Sequence, residues 1–149
     1  RYIHSRGLVH GDVKPDNVFI VKGVLKLGGF STLTATIAPQ GPPGFTPGWR
    51  PPELVSEDLA LRAKRLGYED RADVYQLGNL LLYMLAGESI DGEERLKGDE
   101  GLRRALAKVG HGGLGSLIAS MMEVDPARRP SAEEASSRLA GIYYEVSQA

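Results

Sequence analysis

A chain of 149 residues with 42% hydrophobic and 25% charged residues has the balance of one globular domain, and excess charge does not push it toward disorder. Its net charge of −1 gives no general pull toward nucleic acid or an anionic membrane. The absence of cysteine removes disulfide frameworks, Cys-based zinc sites and thiolate nucleophiles, which suits a cytoplasmic protein. The longest mostly apolar run, Leu77 to Gly87, is too short to span a bilayer and contains Asn79. The opening RYIHSRG is neither a signal peptide nor a natural start. A fragment is therefore expected.

In chain order, residues 1–6 read as the end of a helix with Gly7 as its stop. VHGDVKPDN, residues 9–17, then packs a histidine, two aspartates, a lysine and an asparagine into one short stretch. NVFIV and VLKLGGF are β-prone runs joined at Lys22-Gly23, a hairpin signal. From Ser31 to Pro52 the chain is rich in Thr, Gly and Pro without periodicity, the mark of a long loop.

Beyond the loop the pattern is helical. PPELVSED is expected to start a short helix and LALRAKRLG a second. DVYQLGNLLLYMLAGE is apolar on nearly all sides, as a central helix would be. Leu102, Leu106 and Val109 share one helical face, and Leu114, Leu117, Ile118 and Met121 another. A last helix opens at Ser131 with Glu134 completing a capping box, and Ala135, Leu139, Ile142 and Val146 form its stripe. The fold class expected is mainly α with a small β-hairpin beside it.

Alone, Asp12, Lys14 and Asn17 are compatible with polar decoration of a turn. Their spacing, however, resembles the catalytic loop of the protein kinases, His-Arg-Asp-Leu-Lys-Pro-Glu-Asn. Three more stretches follow in the family's order. TPGWRPPE resembles the end of the activation segment, with Pro51-Pro52-Glu53 in place of Ala-Pro-Glu. DVYQLG resembles the start of the family's central helix, and DPARRPSAEE its late Asp-Pro-x-x-Arg-Pro motif.

The resemblance implies the C-terminal lobe of a eukaryotic-type Ser/Thr kinase, within a whole-family fold that is α+β. Residues 1–149 would form a single domain: catalytic loop 8–17, hairpin 17–28, activation segment 29–53 and helical body 54–149. Asp12 would orient or accept the substrate hydroxyl proton, Lys14 would neutralise the transferring phosphate, and Asn17 would ligate magnesium. Thr46 would bond to Asp12 and Lys14, and Phe19 would floor the adenine of ATP. Asp73 would anchor the catalytic loop, Arg129 would pair with Glu53, and His10 and Phe30 would be packed structural residues. Pro15 restricts the loop backbone. Lys14, two residues after Asp12, implies Ser/Thr rather than Tyr substrates.

Three departures stand out. Aligning LKLGGFS on Phe30 puts Gly29 where the Asp of Asp-Phe-Gly ligates magnesium, so a hard oxygen ligand is missing; Asp16 is not at a ligand position. Gly11 replaces the Arg that receives a phosphorylated activation loop, although Ser31, Thr32, Thr34 and Thr36 remain candidate phosphosites. No Gly-rich loop, strand lysine or partner glutamate precedes residue 1, so the N-terminal lobe is the expected missing partner. Beside it stand a protein substrate, ATP and Mg2+, with neither nucleic acid nor membrane. SEDLALRAKRLGYED adds about two helical turns beyond the usual connection, with Arg62, Lys64 and Arg65 as a basic, solvated face. His4 and His111 lack metal-ligand spacing.

Two readings follow. One is a Ser/Thr kinase lobe that is inactive by itself. The other is a pseudokinase acting as a binding or regulatory module. Gly29 favours the second, whereas Asp12, Lys14, Asn17 and Thr46 favour the first.

Overall fold

One helical turn, α1 (Tyr2–Ser5), is stopped at Gly7, where φ is +69°. The structure, a computed structural model, describes residues 1–35 and 46–149. After the catalytic-loop stretch, β1 (Val18–Val21) pairs antiparallel with β2 (Val24–Leu27), Val18 opposite Leu27 and Ile20 opposite Leu25. Lys22 and Gly23 join them with φ of +50° and +76°, the left-handed pair that a tight two-residue hairpin demands. Strand alternation puts Val18, Ile20, Leu25 and Leu27 on one face and Phe19, Val21, Val24 and Lys26 on the other.

Among the described residues six α-helices follow: α2 (Glu57–Leu66), α3 (Arg71–Ala86), α4 (Gly92–Leu96), α5 (Glu100–Leu106), α6 (Gly112–Met121) and α7 (Ala132–Gln148). PPELVSED and LALRAKRLG do not form two separate α-helices, since α2 opens on Glu57 and Asp58 and runs on through the second stretch. Pro52–Leu54 makes a 3-10 turn, and Ser56 then caps α2 by accepting from the Leu59 amide at 3.5 Å. Helix α2 runs ten residues, close to three turns. Its face is also less free than its sequence suggests, because Arg62 grips Asp125 through two 2.9 Å bonds.

Helix α3 lies at the centre, and one cluster joins its Tyr75 and Leu82 to Ile90, Leu102, Ile118 and Met122. A second joins Val74 to Leu117, Met121 and Ala135. Gly78 lets α3 and α6 close up, since a Cβ there would stand 2.8 Å from Met121 Cβ. A third cluster, Val9, Leu54, Ala63 and Ala72, fastens the catalytic loop to α2 and α3.

Two stretches are less covered than their apolar patterns predict. Leu77, Tyr83, Met84 and Leu85 of α3 are exposed, and an apolar groove of about 670 Å3 separates this flank from α1 and the hairpin. On α7, Ala135 is buried and Ile142 partly buried against the cluster of Leu117 and Met121, but Leu139 and Val146 are exposed. The capping box is formed: Ser131 Oγ accepts from the Glu134 amide at 3.0 Å, and Glu134 accepts from the Ser131 amide at 2.7 Å. Ser131→Ala should therefore cost about 1 kcal/mol, read as a lower urea midpoint. Among the described residues no helix is long and apolar enough to cross a membrane.

Candidate active site

Three polar residues spaced three apart on α3 build the frame of the site. Asp73 accepts from the amides of His10 and Gly11 at 2.8 Å each, and His4 Nε2 lies 2.7 Å from the same carboxylate. One turn on, Gln76 Oε1 accepts from the Val13 amide at 3.0 Å, while Nε2 donates to the carbonyls of Gly11 and Trp49. Asn79 exchanges bonds with Ile90 and donates to the Gly48 carbonyl at 3.2 Å. Burying these groups is costly unless they are bonded, and here each holds loop backbone that has left regular structure. The ladder thereby binds the catalytic loop and the 48–49 segment to one rigid helix.

Around Asp12 the loops converge. Lys14 Nζ donates to Thr46 Oγ1 at 2.6 Å and lies 3.4 Å from Asp12 Oδ2. The Thr46 hydroxyl donates to Asp12 Oδ1 at 3.1 Å. Asn17 Nδ2 donates to the Asp12 carbonyl at 2.7 Å and reaches Oδ2 at 3.2 Å. Asp12, Lys14, Asn17 and Thr46 are thus in one place, from sequence positions up to 34 apart. The Asp12 side chain keeps a small opening to solvent, 11%, enough for a reacting group to approach without flooding the carboxylate.

The neighbouring residues hold this cluster. His10, fully buried, accepts from the Asp12 amide on Nδ1 at 3.1 Å and bonds through Nε2 to the Gly28 carbonyl at 2.7 Å. Those partners set its tautomer, with the proton on Nε2. Phe30 packs edge-on against His10 at 5.4 Å yet remains half exposed, and Phe19 is also half exposed on the hairpin. Thr32 is buried, with its hydroxyl donating to the His10 carbonyl at 2.8 Å. It is a brace, and among the described candidate phosphosites Thr32 is the buried one. Val9 and Thr34 exchange backbone bonds as an isolated bridge. Ser31 is exposed, and Thr36 lies outside the described residues.

Farther out, Glu53 and Arg129 form a fully buried bidentate pair at 2.6 and 2.7 Å. The remaining guanidinium protons go to the carbonyls of Glu123, Arg71 and Val124. Asp91 ties down the stretch after Thr46, accepting from the amides of Gly48 and Arg50 at 2.8 and 3.1 Å and from the Arg50 guanidinium at 2.8 Å.

Partial burial works to raise the Asp91 pKa, but the Arg50 guanidinium and backbone N–H groups outweigh it and hold the pKa below the ordinary carboxylate value. A depressed folded-state pKa adds stability above the unfolded value, and that stability is lost as pH falls through the folded one. Urea midpoints at pH 6 and pH 3 should therefore drop less in Asp91→Asn than in the parent. An equal drop would show that Asp91 contributes none of the acid sensitivity.

The ladder residues Gln76 and Asn79, with His4, Thr32 and Asp91, escape the sequence reading. A signal for the first two was present: polar side chains at three-residue spacing inside an otherwise apolar helix. As for metal, no group of three or more His, Cys, Asp or Glu is poised to hold an ion among the described residues. Gly29 offers no side-chain ligand atom, and Asn17, with its amide nitrogen committed to Asp12, keeps its Oδ1 in the space a side chain at 29 would fill. The pair 17/29 supplies one side-chain oxygen, Asn17 Oδ1, which by itself does not make up the oxygen shell a divalent cation demands.

A protein kinase domain model matches residues 1–138. The Wee1-like protein kinase of Oryza sativa subsp. japonica is 33% identical over 135 residues, covering 89% of this chain and 24% of that protein. The serine/threonine-protein kinase PknG of Mycolicibacterium smegmatis is 32% identical over 155 residues, covering 97% of this chain and 18% of its own length. Ribosomal protein S6 kinase alpha-1 of Homo sapiens is 29% identical over 152 residues, covering 89% and 20%. The chain spans about a quarter or less of the length of these relatives. With the match running through the catalytic loop, the α3 ladder and the Glu53–Arg129 pair, the chain belongs to the protein kinase family.

Proposed function

We propose that the chain is the C-terminal lobe of a Ser/Thr protein kinase, which in the whole protein moves the γ-phosphate of ATP to a protein Ser or Thr. The observation that carries this reading is the assembled Asp12–Thr46–Lys14 cluster. The substrate oxygen attacks the γ-phosphorus, the bond to ADP breaks, and the hydroxyl proton passes to the Asp12 carboxylate. Lys14 places a positive charge beside the developing negative charge, and Thr46 and Asn17 fix the carboxylate so that little reorganisation is needed. The family uses ATP with magnesium. No step is assigned here to the ion, because residues 17 and 29 do not fit it.

Completion by an N-terminal lobe and a cytoplasmic setting belong to the same reading. The exposed Phe19 would lie under the adenine once that lobe closes over the hairpin. This chain alone is expected neither to bind ATP tightly nor to phosphorylate itself; autophosphorylation by it would overturn that expectation. The test of substrate class offers the whole protein two peptides that differ only in Ser or Tyr at the acceptor. Phosphoserine is the expected product, and phosphotyrosine alone would overturn Ser/Thr specificity.

A second reading, a pseudokinase that binds or regulates a partner, is favoured by Gly29. Failure of the whole protein to transfer phosphate to any Ser, Thr or Tyr acceptor would select it.

A further inference from the structure

Gly29 is more than a missing ligand. Its backbone is left-handed, with φ +69° and ψ +48°, and its side-chain space is already taken. A Cβ built there would overlap Asn17 Oδ1 and Cγ and come within 2.7 Å of Nδ2. Gly23 provides the comparison: its φ is +76°, yet a Cβ there meets nothing within 4 Å. Left-handed backbone alone therefore does not explain what surrounds Gly29.

Asn17 cannot simply swing aside. Its Nδ2 holds both the carbonyl and the carboxylate of Asp12, and its own carbonyl accepts from the Gly28 amide at 2.8 Å. Beside it, the Phe19 ring closes on Gly28, where an added Cβ would lie 2.7 Å from Cε2. Moving the carboxamide breaks the bonds that orient Asp12. Its Oδ1, the atom an ion would need, lies in the volume a side chain at 29 would fill. An oxygen from 17 and an oxygen from 29 cannot both be presented while Asn17 braces Asp12.

We propose that Gly29 is the space Asn17 requires to brace Asp12, so that this chain cannot carry an acid at 29 and keep Asn17 in place. Restoring an acid at position 29 alone then fails to restore a magnesium site. The steric pairing stands on geometry alone; only its bearing on phosphoryl transfer rests on the kinase reading above.

A double-mutant cycle tests the pairing without reference to activity. Gly29→Ala should raise the unfolding constant about tenfold more with Asn17 present than in the Asn17→Ala background. The left-handed strain is common to both backgrounds and cancels, and Gly23→Ala measures that strain by itself. Should Asn17→Ala not fold, Asn17→Ser vacates the same space. Effects that add within twofold would overturn the pairing.

Calorimetric titration with magnesium chloride tests the role. Gly29→Asp should gain no saturable binding. A saturable magnesium site gained in Gly29→Asp would overturn the assignment. Loss of the kinase reading would show instead as absent phosphate transfer with the stability coupling intact.

Discussion

Arg129→Ala is expected to destabilise the fold by about 3–5 kcal/mol, the cost of leaving a buried charge without its partner. Glu53 and Arg129 are both fully shielded from water, and all five guanidinium donors are used. Removing the arginine strands the Glu53 carboxylate and frees the carbonyls of Glu123, Arg71 and Val124 at once. The guanidinium also lies 5.1 Å over the Tyr75 ring, so the cavity opens against the main core. Replacing both partners, Arg129→Met with Glu53→Leu, should recover only part of the loss, because the three carbonyls stay unmet. Urea unfolding followed by circular dichroism reads each variant. A loss below about 1 kcal/mol for Arg129→Ala would mean that the pair does not anchor the segment ending at Glu53.

Asp73→Asn is the second large effect, expected at about 2–4 kcal/mol with a disordered catalytic loop. The substitution keeps the shape but exchanges one oxygen for an NH2 group. That group must face the His10 or Gly11 amide, and donor then meets donor. His4 at the same carboxylate also loses its charged partner. Hydrogen exchange at His10 and Gly11 should accelerate far more than exchange in α6, which Asp73 does not touch. Uniform acceleration would indicate general destabilisation rather than release of the loop.

Much of this fold was legible because local chemistry and tertiary packing agree. Lys22-Gly23 between two β-prone runs specifies a hairpin by backbone conformation alone, and Ser131 with Glu134 specifies a helix start. The misses share a cause, since burial depends on what stands opposite. Nothing in the α7 stripe separates exposed Leu139 and Val146 from packed Ala135 and Ile142. Thr32 in a Thr-rich loop looks free until His10 is placed over it.

At the site, the motif spacing named Asp12, Lys14, Asn17 and Thr46, and the structure brings them together. The supports Gln76, Asn79 and Asp91 bond mainly to backbone, and backbone acceptors and donors leave no trace in residue identity. The Gly29–Asn17 contact was equally hidden. From sequence a glycine shows what it lacks, not what fills its place.

Phosphate transfer from ATP to a serine peptide by the whole protein, compared between the parent and Asp12→Asn, tests the central claim most directly. Transfer by the parent is expected, with a loss of about 10²–10⁴-fold in kcat for Asp12→Asn measured on protein that circular dichroism shows to be folded. Equal rates in the two proteins, or no transfer by either, would contradict it.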